Sequence, residues 1–270
     1  MSLFRYPGGK SKLKNIILDK LNSFPNIQEY KEPFFGGGSI GLEFLKQSSI
    51  LKYSFNDKDV GLYCLWSSIK DYPLSLKEKI MAFSPSIDLF FKFKDELLNL
   101  LEVPTTKTIL INNALKKLAI HQISYSGLGT KSGGPLGGLK QKSKYKIDCR
   151  WSPENICKKI DIINSSFKEK NINLSSVDFS QIINNSSGNT LIYLDPPYFD
   201  KGNDLYQYGF SLEDHERLMN FLKKTRAKWV LSYDNVPEIR DLYNWANIEI
   251  LDVNYTISTS RQKTELLIYV

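Results

Sequence analysis

The sequence predicts an α/β protein: a mostly parallel sheet with helices on both sides, closed by a terminal antiparallel hairpin and interrupted by one mainly helical insertion. Three observations carry this reading. β-prone runs alternate with amphipathic helical stretches over residues 1–60 and again from Trp151 onward. Between them, from Gly61 to Ile147, the texture shifts to helices followed by a polar, glycine-rich tract. The last two apolar runs, IEILDVNYTI and TELLIYV, are joined by the short polar link STSRQK, which makes a hairpin the simplest connection.

Near the N-terminus, RYPGGK (Arg5 to Lys10) is a glycine loop running into a helix, with Leu13, Ile16, Ile17 and Leu21 on one face. QEYKEPFFGGGSIGLEFLK follows as a short strand, a turn at Gly36, Gly37 and Gly38, and a second helix. ILKYSFNDKD is a strand ending in an acidic turn at Asn56 and Asp57. Strand, glycine turn, helix, strand, acid is the outline of a nucleotide-binding half-domain. Helices are expected over Asp88–Leu101 and Thr108–Ile123, with Phe90, Phe91 and Phe93 as core. SYSGLGTKSGGPLGGLKQKSKYK then holds six glycines and five lysines. It is too polar for core and reads as exposed loops or a β-hairpin. Residues 61–147 are therefore expected to form an inserted domain within a body made of residues 1–60 and 148–270.

After the insertion, SPENICKKIDIINSSF is a helix with Pro153 tolerated in its first turn. INLSSVDF is a strand ending at Asp178, and TLIYL is the strand before DPPY. SLEDHERLMNFLKKT is a helix with Ser211 as N-cap and Asp214 completing a capping box. AKWVLSYDN is a strand and VPEIRDLYNW a helix.

Composition narrows the function. Lys and Arg total 36 against 29 Asp and Glu, a net charge of +7. That excess permits an anionic partner such as nucleic acid, and equally suits a solvated basic surface. Cys64, Cys149 and Cys157 are an odd number without metal-ligand spacing, so neither a metal site nor a disulfide framework is expected. His121 and His215 are distant in sequence and read as structural. The N-terminal residues lack an apolar signal core and no apolar run is long enough for a membrane span, so a cytoplasmic location is expected.

Ligands of open α/β sheets bind beyond the carboxyl ends of the strands. Asp57, Asp178, Asp195 and the Gly36–Gly38 turn all fall at such ends. In TLIYLDPPYFD, Pro196 and Pro197 fix their φ angles and lack N–H groups. They hold the Asp195 carboxylate and a neighbouring carbonyl as two rigid acceptors, beside the flat ring of Tyr198. Two acceptors suit the two hydrogens of an amino group, and an aromatic face suits stacking on a base.

RYPGGK, EPFFGGGSIGL (Glu32 to Leu42), Asn56–Asp57, VDF (Val177 to Phe179) and DPPY (Asp195 to Tyr198) occur in that order. This ordered set resembles the Dam-like, alpha-type DNA adenine-N6 methyltransferases, and the insertion sits where that family carries its target recognition domain. The resemblance implies a Rossmann-like catalytic sheet, S-adenosylmethionine as cofactor and double-stranded DNA as substrate. It implies Tyr6 and Lys10 at the cofactor and active-site loop, with Trp as the family's other choice at the Tyr6 position. Phe34, Phe35 and Gly36 would surround the methionine part of the cofactor, and Asp57 would hold its ribose. Asp178 and Phe179 would hold its adenine. Asp195, the Pro196 carbonyl and Tyr198 would hold a flipped-out target adenine, leaving Asp195 also beside the cofactor. DNA contacts are expected from Lys10, Tyr125, Lys131, Lys140, Lys142, Lys144 and Arg261. A monomer, working alone or beside a cognate restriction endonuclease, is the expected assembly. Cytosine N4 methylation, RNA adenine methylation and a non-catalytic relative remain open at this point.

Overall fold

A computed structural model of the chain describes residues 3–6, 9–10, 12–200, 207–253 and 263–270. Pro7 and Gly8 of the first glycine loop, Arg261 and most of the STSRQK link lie outside the described residues. Seven strands form one sheet in the order β3-β2-β1-β4-β5-β7-β6. They are β1 (Glu29–Glu32), β2 (Lys52–Asn56), β3 (Asn171–Ser175), β4 (Thr190–Leu194), β5 (Lys228–Asp234), β6 (Asn247–Val253) and β7 (Lys263–Tyr269). The first five are parallel neighbours. β7 inserts antiparallel between β5 and β6, which bears out the expected terminal hairpin. The chain runs outward from β1 to β2 to β3, then returns to place β4 on the other side of β1. That reversal opens a crevice at the carboxyl ends of β1 and β4.

The pleat sorts the strand residues into two cores. Leu191, Tyr193 and Val230 face a cluster with Ile17 and Leu21 of α1 (Lys14–Asn22), Leu42 and Phe44 of α2 (Gly41–Gln47), and Ile160 of α7 (Pro153–Lys168). Ile192, Leu194 and Leu231 face the opposite cluster. Its helices are α8 (Phe179–Asn184), α9 (Leu212–Lys224) and α10 (Pro237–Leu242). Pro153 opens α7, and the Ser211–Asp214 capping box opens α9, both as the sequence predicts. On α1, Leu13, Ile17 and Leu21 are buried, whereas Ile16 is 44% exposed. The apolar stripe follows the four-residue spacing, and Ile16 falls off it.

Residues 61–147 contain four helices, counting one that begins a residue earlier: α3 (Val60–Asp71), α4 (Pro73–Ala82), α5 (Ile87–Leu98) and α6 (Lys107–Ile123). α3 and α4 have no counterpart in the sequence reading. Leu62, Leu65, Trp66 and Ile69 of α3 join the first core, together with Leu76 and Ile80 of α4 and Ile111 and Leu118 of α6. Phe90, Phe93 and Leu97 of α5 build a satellite core with Ile120, Ile123 and Ile147, while Phe91 is 47% exposed. The expected β-hairpin after α6 takes another form. An antiparallel bridge pairs Ser124 with Pro135, and 3-10 turns occupy Tyr125–Gly127 and Gly129–Lys131. Left-handed backbone at Ser126, Gly127, Gly129, Gly137, Gly138 and Gln141 bends the chain too often for a continuous ladder. Gln141 ties the tract together: its amide donates to the Leu136 carbonyl at 2.8 Å and its oxygen accepts from Ile147 N at 2.7 Å. Leu136 N in turn donates to the Ile123 carbonyl at 2.7 Å.

Candidate active site

A cleft of about 1100 Å³, counted to its open mouth, follows the carboxyl ends of four neighbouring strands. Each strand end delivers one acid or one turn to it. In sheet order these are Asp178 after β3, Asp57 after β2, Glu32 to Gly37 after β1, and Asp195 after β4. Tyr6, Phe34, Phe35, Phe179 and Phe210 complete the wall used below.

The glycine turn packs where side chains would not fit. Gly36 has φ +48°, and a Cβ there would lie 2.7 Å from the Tyr6 ring. Phe35 stacks on Phe55 with centroids 4.1 Å apart. Trp66 of α3 donates its indole N–H to the Gly36 carbonyl at 3.0 Å. Beside this turn, Asp57 accepts backbone N–H groups from Gly36 at 2.8 Å and Asp59 at 2.9 Å. Burial, then the nearby Asp59 charge, still raises the Asp57 carboxyl to about 7. Asp59 caps α3 and pairs with the buried Lys117 of α6.

Asp178 does not end a strand. β3 stops at Ser175, and Asp178 is the N-cap of the short helix α8, accepting from Ser180 N at 3.0 Å. An acid preferring a cap position outcompetes one more strand residue. Asn56 makes the tight turn possible. Its amide donates to the Pro33 and Val177 carbonyls, both at 3.0 Å, and its oxygen accepts from Val177 N at 2.9 Å. Burial acts to raise the Asp178 carboxyl, but Ser180 and the Arg217 guanidinium outweigh it and hold it below the usual range. Arg217 lies 3.0 Å from Asp178 and 2.7 Å from Asp214. Phe34, Phe179 and Phe210 form an aromatic corner with centroids 5.5 to 5.7 Å apart.

At the other end of the row, Asp195 sits over a buried polar cluster. Lys10 is 2.9 Å from its Oδ1. Ser232 donates to the same oxygen at 3.3 Å. Burial raises the Asp195 carboxyl to about 6, against the pull of Lys10. Burial would lower the Lys10 ammonium, yet Asp195, Tyr198 and Glu265 together keep it well above its ordinary value. The Tyr198 hydroxyl accepts from Lys10 at 2.6 Å, and burial raises its titration. Glu32 is also buried and its carboxyl is raised by burial, with the Asp195 charge adding. Pro196 is buried, and of the two prolines it is Pro197 that lines the cleft.

The sequence-derived candidates thus divide. Tyr6, Phe34, Phe35, Gly36, Asp57, Asp178, Phe179 and Asp195 line one cleft. Lys10 and Tyr198 join it through the cluster under Asp195. Lys10 is 2% exposed, so a DNA phosphate contact would first require breaking its ion pairs. Tyr125, Lys131, Lys140, Lys142 and Lys144 lie on the exposed tract after α6, away from the cleft wall. Residues the sequence reading left unassigned are Glu32, Asn56, Phe210, Arg217, Ser232, Asp234 and Glu265. His121 and His215 are both buried. His121 Nδ1 meets the Gly127 carbonyl at 3.0 Å and His215 pairs with the Tyr233 hydroxyl, in keeping with structural roles. No group of His, Cys, Asp and Glu able to hold a metal occurs among the described residues. None of their helices is long and apolar enough to cross a membrane.

The sequence model of the D12 class N6 adenine-specific DNA methyltransferases matches residues 6–257 of this chain. The chain is 25% identical over 289 residues to the type II methyltransferase M1.LlaDCHI of Lactococcus lactis subsp. cremoris, covering 98% of this chain and 93% of that protein. It is 24% identical over 296 residues to the type II methyltransferase M.MjaIII of Methanocaldococcus jannaschii, covering 98% and 95%. The modification methylase StsI of Streptococcus sanguinis is 26% identical over 290 residues. That match takes in 98% of this chain and 41% of the longer relative.

Proposed function

The chain belongs to the D12 class N6 adenine-specific DNA methyltransferase family, and from that premise we propose that the strand-end cleft binds S-adenosylmethionine and that Asp195, Pro196 and Tyr198 hold the target adenine. The reaction is methyl transfer to the N6 amino nitrogen of adenine in DNA. The family match sets aside cytosine N4, RNA and a non-catalytic role. The observation that carries the site assignment is the row of Asp178, Asp57 and Asp195 in one cleft along the carboxyl edge of the sheet, with the glycine turn after β1 between the last two.

The donor set fits an elongated cofactor. An acid beside an aromatic corner suits a purine amino group, and a second acid one strand away suits a ribose diol. Asp178 and Phe179 take the purine end, Asp57 the diol, and Phe34, Phe35 and Gly36 the amino-acid end near Tyr6. When bound, S-adenosylmethionine supplies an electrophilic methyl group on a sulfonium.

The chain's own residues then do three things. Asp195 and the Pro196 carbonyl accept the two N6 hydrogens of adenine, drawing the nitrogen lone pair out of the ring system. Tyr198 offers its face to the base, which must leave the duplex to reach the cleft. The fixed acceptors also stabilise the positive charge that develops on nitrogen, at no reorganisation cost during reaction. The Asp195 carboxylate takes the proton that the methylated nitrogen sheds.

DNA is gripped by the insertion over residues 61–147, working with the body of residues 1–60 and 148–270. The exposed Tyr125, Lys131, Lys140, Lys142 and Lys144 give that segment the charge and rings for a phosphate-tracking surface. The relatives' names favour a type II modification enzyme; the assembly we propose for it is a monomer beside a cognate endonuclease.

Incubation with labelled S-adenosylmethionine and unmethylated plasmid DNA, followed by nucleoside mass spectrometry, tests the assignment. N6-methyladenine from the native chain and none from Asp195→Ala supports it. Undiminished methylation by Asp195→Ala sinks it.

A further inference from the structure

β7 brings a second carboxylate beneath the catalytic cluster. Glu265 pairs across the ladder with Asp234 of β5. Its Oε1 accepts a hydrogen bond from the Tyr198 hydroxyl at 3.1 Å, and its Oε2 lies 3.1 Å from the Lys10 ammonium. The same ammonium reaches Asp195 at 2.9 Å and donates to Tyr198 at 2.6 Å. One buried lysine is therefore shared between two carboxylates, and one tyrosine hydroxyl is held from both sides.

We propose that Glu265 is a positioning residue for methyl transfer, drawing Lys10 partly off Asp195 and locking the Tyr198 ring, so that Asp195 keeps an acceptor for the amino hydrogens of the target base. This rests on the assignment of Asp195 and Tyr198 made above. Lys10 facing Asp195 alone would saturate the carboxylate with its own strong donors. Counting Lys10 as +1 and Asp195 and Glu265 as −1 each, the cluster carries one net negative charge. That surplus offsets charge developing on the base. The neighbouring strand completes the support. Asp234 accepts the backbone N–H groups of Phe199 and Asp200, both at 3.0 Å. The paired ends of β5 and β7 thus hold the DPPYFD loop by its backbone and by its ring.

The groups facing Asp195 are Lys10 from the N-terminal loop, Glu32 from β1, Tyr193 from β4, Tyr198, Tyr233 from β5 and Glu265. Among them Glu265 pushes the Asp195 carboxyl up and Lys10 pulls it down. Removing the Glu265 charge must therefore move Asp195 ionisation to lower pH.

The experiment is single-turnover methyl transfer by the full chain across the acid limb of the pH–rate profile, with cofactor affinity measured alongside. Glu265→Gln is expected to lower the plateau rate about tenfold with unchanged cofactor affinity. It is also expected to move the acid limb about one unit toward lower pH. Glu265→Asp keeps the charge and should leave the limb in place while recovering part of the rate. A Glu265→Gln limb that stays in place would overturn the inference, since a purely structural residue lowers rate without moving it. If Glu265→Gln does not fold, Glu265→Ala read on the same profile decides: a limb moved to lower pH supports the role and an unmoved limb overturns it. Asp195→Ala separates the two levels. An inactive Asp195→Ala with a native-like Glu265→Gln removes only the Glu265 role, whereas an active Asp195→Ala removes the site beneath it.

Discussion

The strand-end cleft and the lysine-bearing tract after α6 are held by opposite means. In the cleft, Asp57 has two backbone donors, Asp178 has Ser180 and Arg217, and Asp195 has Lys10 and Ser232. In the tract, Gln141 and left-handed backbone shape the chain, Lys94 and Gln207 anchor Ser132 and Thr130, and Lys140, Lys142 and Lys144 are exposed. The cleft spends its interactions on fixing side chains in place, and the tract spends its own on shaping a surface. Methyl transfer needs reacting groups held to a fraction of an ångström. Phosphate contact needs charge within reach, and tolerates motion.

The largest effect that should separate the two regions is Asp195→Ala, which should cut the transfer rate about 1000-fold or more while leaving DNA affinity near native. Native kcat/KM should rise with pH through about 6 and then level, because the acceptor form of Asp195 is the ionised one. A flat profile across that range would show that Asp195 ionisation is not required. Next comes the join between the regions. Lys117→Met leaves Asp59 buried without its cation and should cost about 3 kcal/mol in denaturant unfolding. An unchanged midpoint would mean that α3 and α6 do not rely on that pair. Asp57→Asn should weaken cofactor binding about tenfold by calorimetry, with DNA affinity unmoved. Lys140→Ala, Lys142→Ala and Lys144→Ala together should do the reverse. The slope of log affinity against log salt should fall by about 0.9 for each lost phosphate contact, with the single-turnover rate at saturating DNA preserved. A native slope would place the DNA elsewhere.

The parts of this arrangement that sequence made legible are those written in adjacent residues. DPPY couples an acid to its own rigid neighbours, PFFGGGSIG encodes a turn before a helix, and Ser211 with Asp214 encodes a helix start. What stayed hidden depends on partners far away in the chain. Glu265 reads as one polar residue in an apolar strand, and its meaning comes from Lys10 and Tyr198. Asn56 reads as half of an acidic turn, yet it stitches Pro33 to Val177. Lys10 reads as a residue of the active-site loop that could also reach DNA, and only the fold reveals its two carboxylate partners, Asp195 and Glu265. α3 and α4 went unread because nothing in their apolar spacing is distinctive, and nothing local in α6 states that its apolar face joins the core under the sheet.

The tract after α6 leaves and returns at one place. Leu136 bonds back to Ile123, and Ile147 packs in the same small core as Ile123. A segment whose ends are already closed can be exchanged for another of different length at little more than a loop-closure cost, about 0.6 kcal/mol for each doubling. The fold therefore carries its surface chemistry as a graftable cassette. Another surface loop could be fitted between Ile123 and Ile147 while the carboxylates at the strand ends keep their partners.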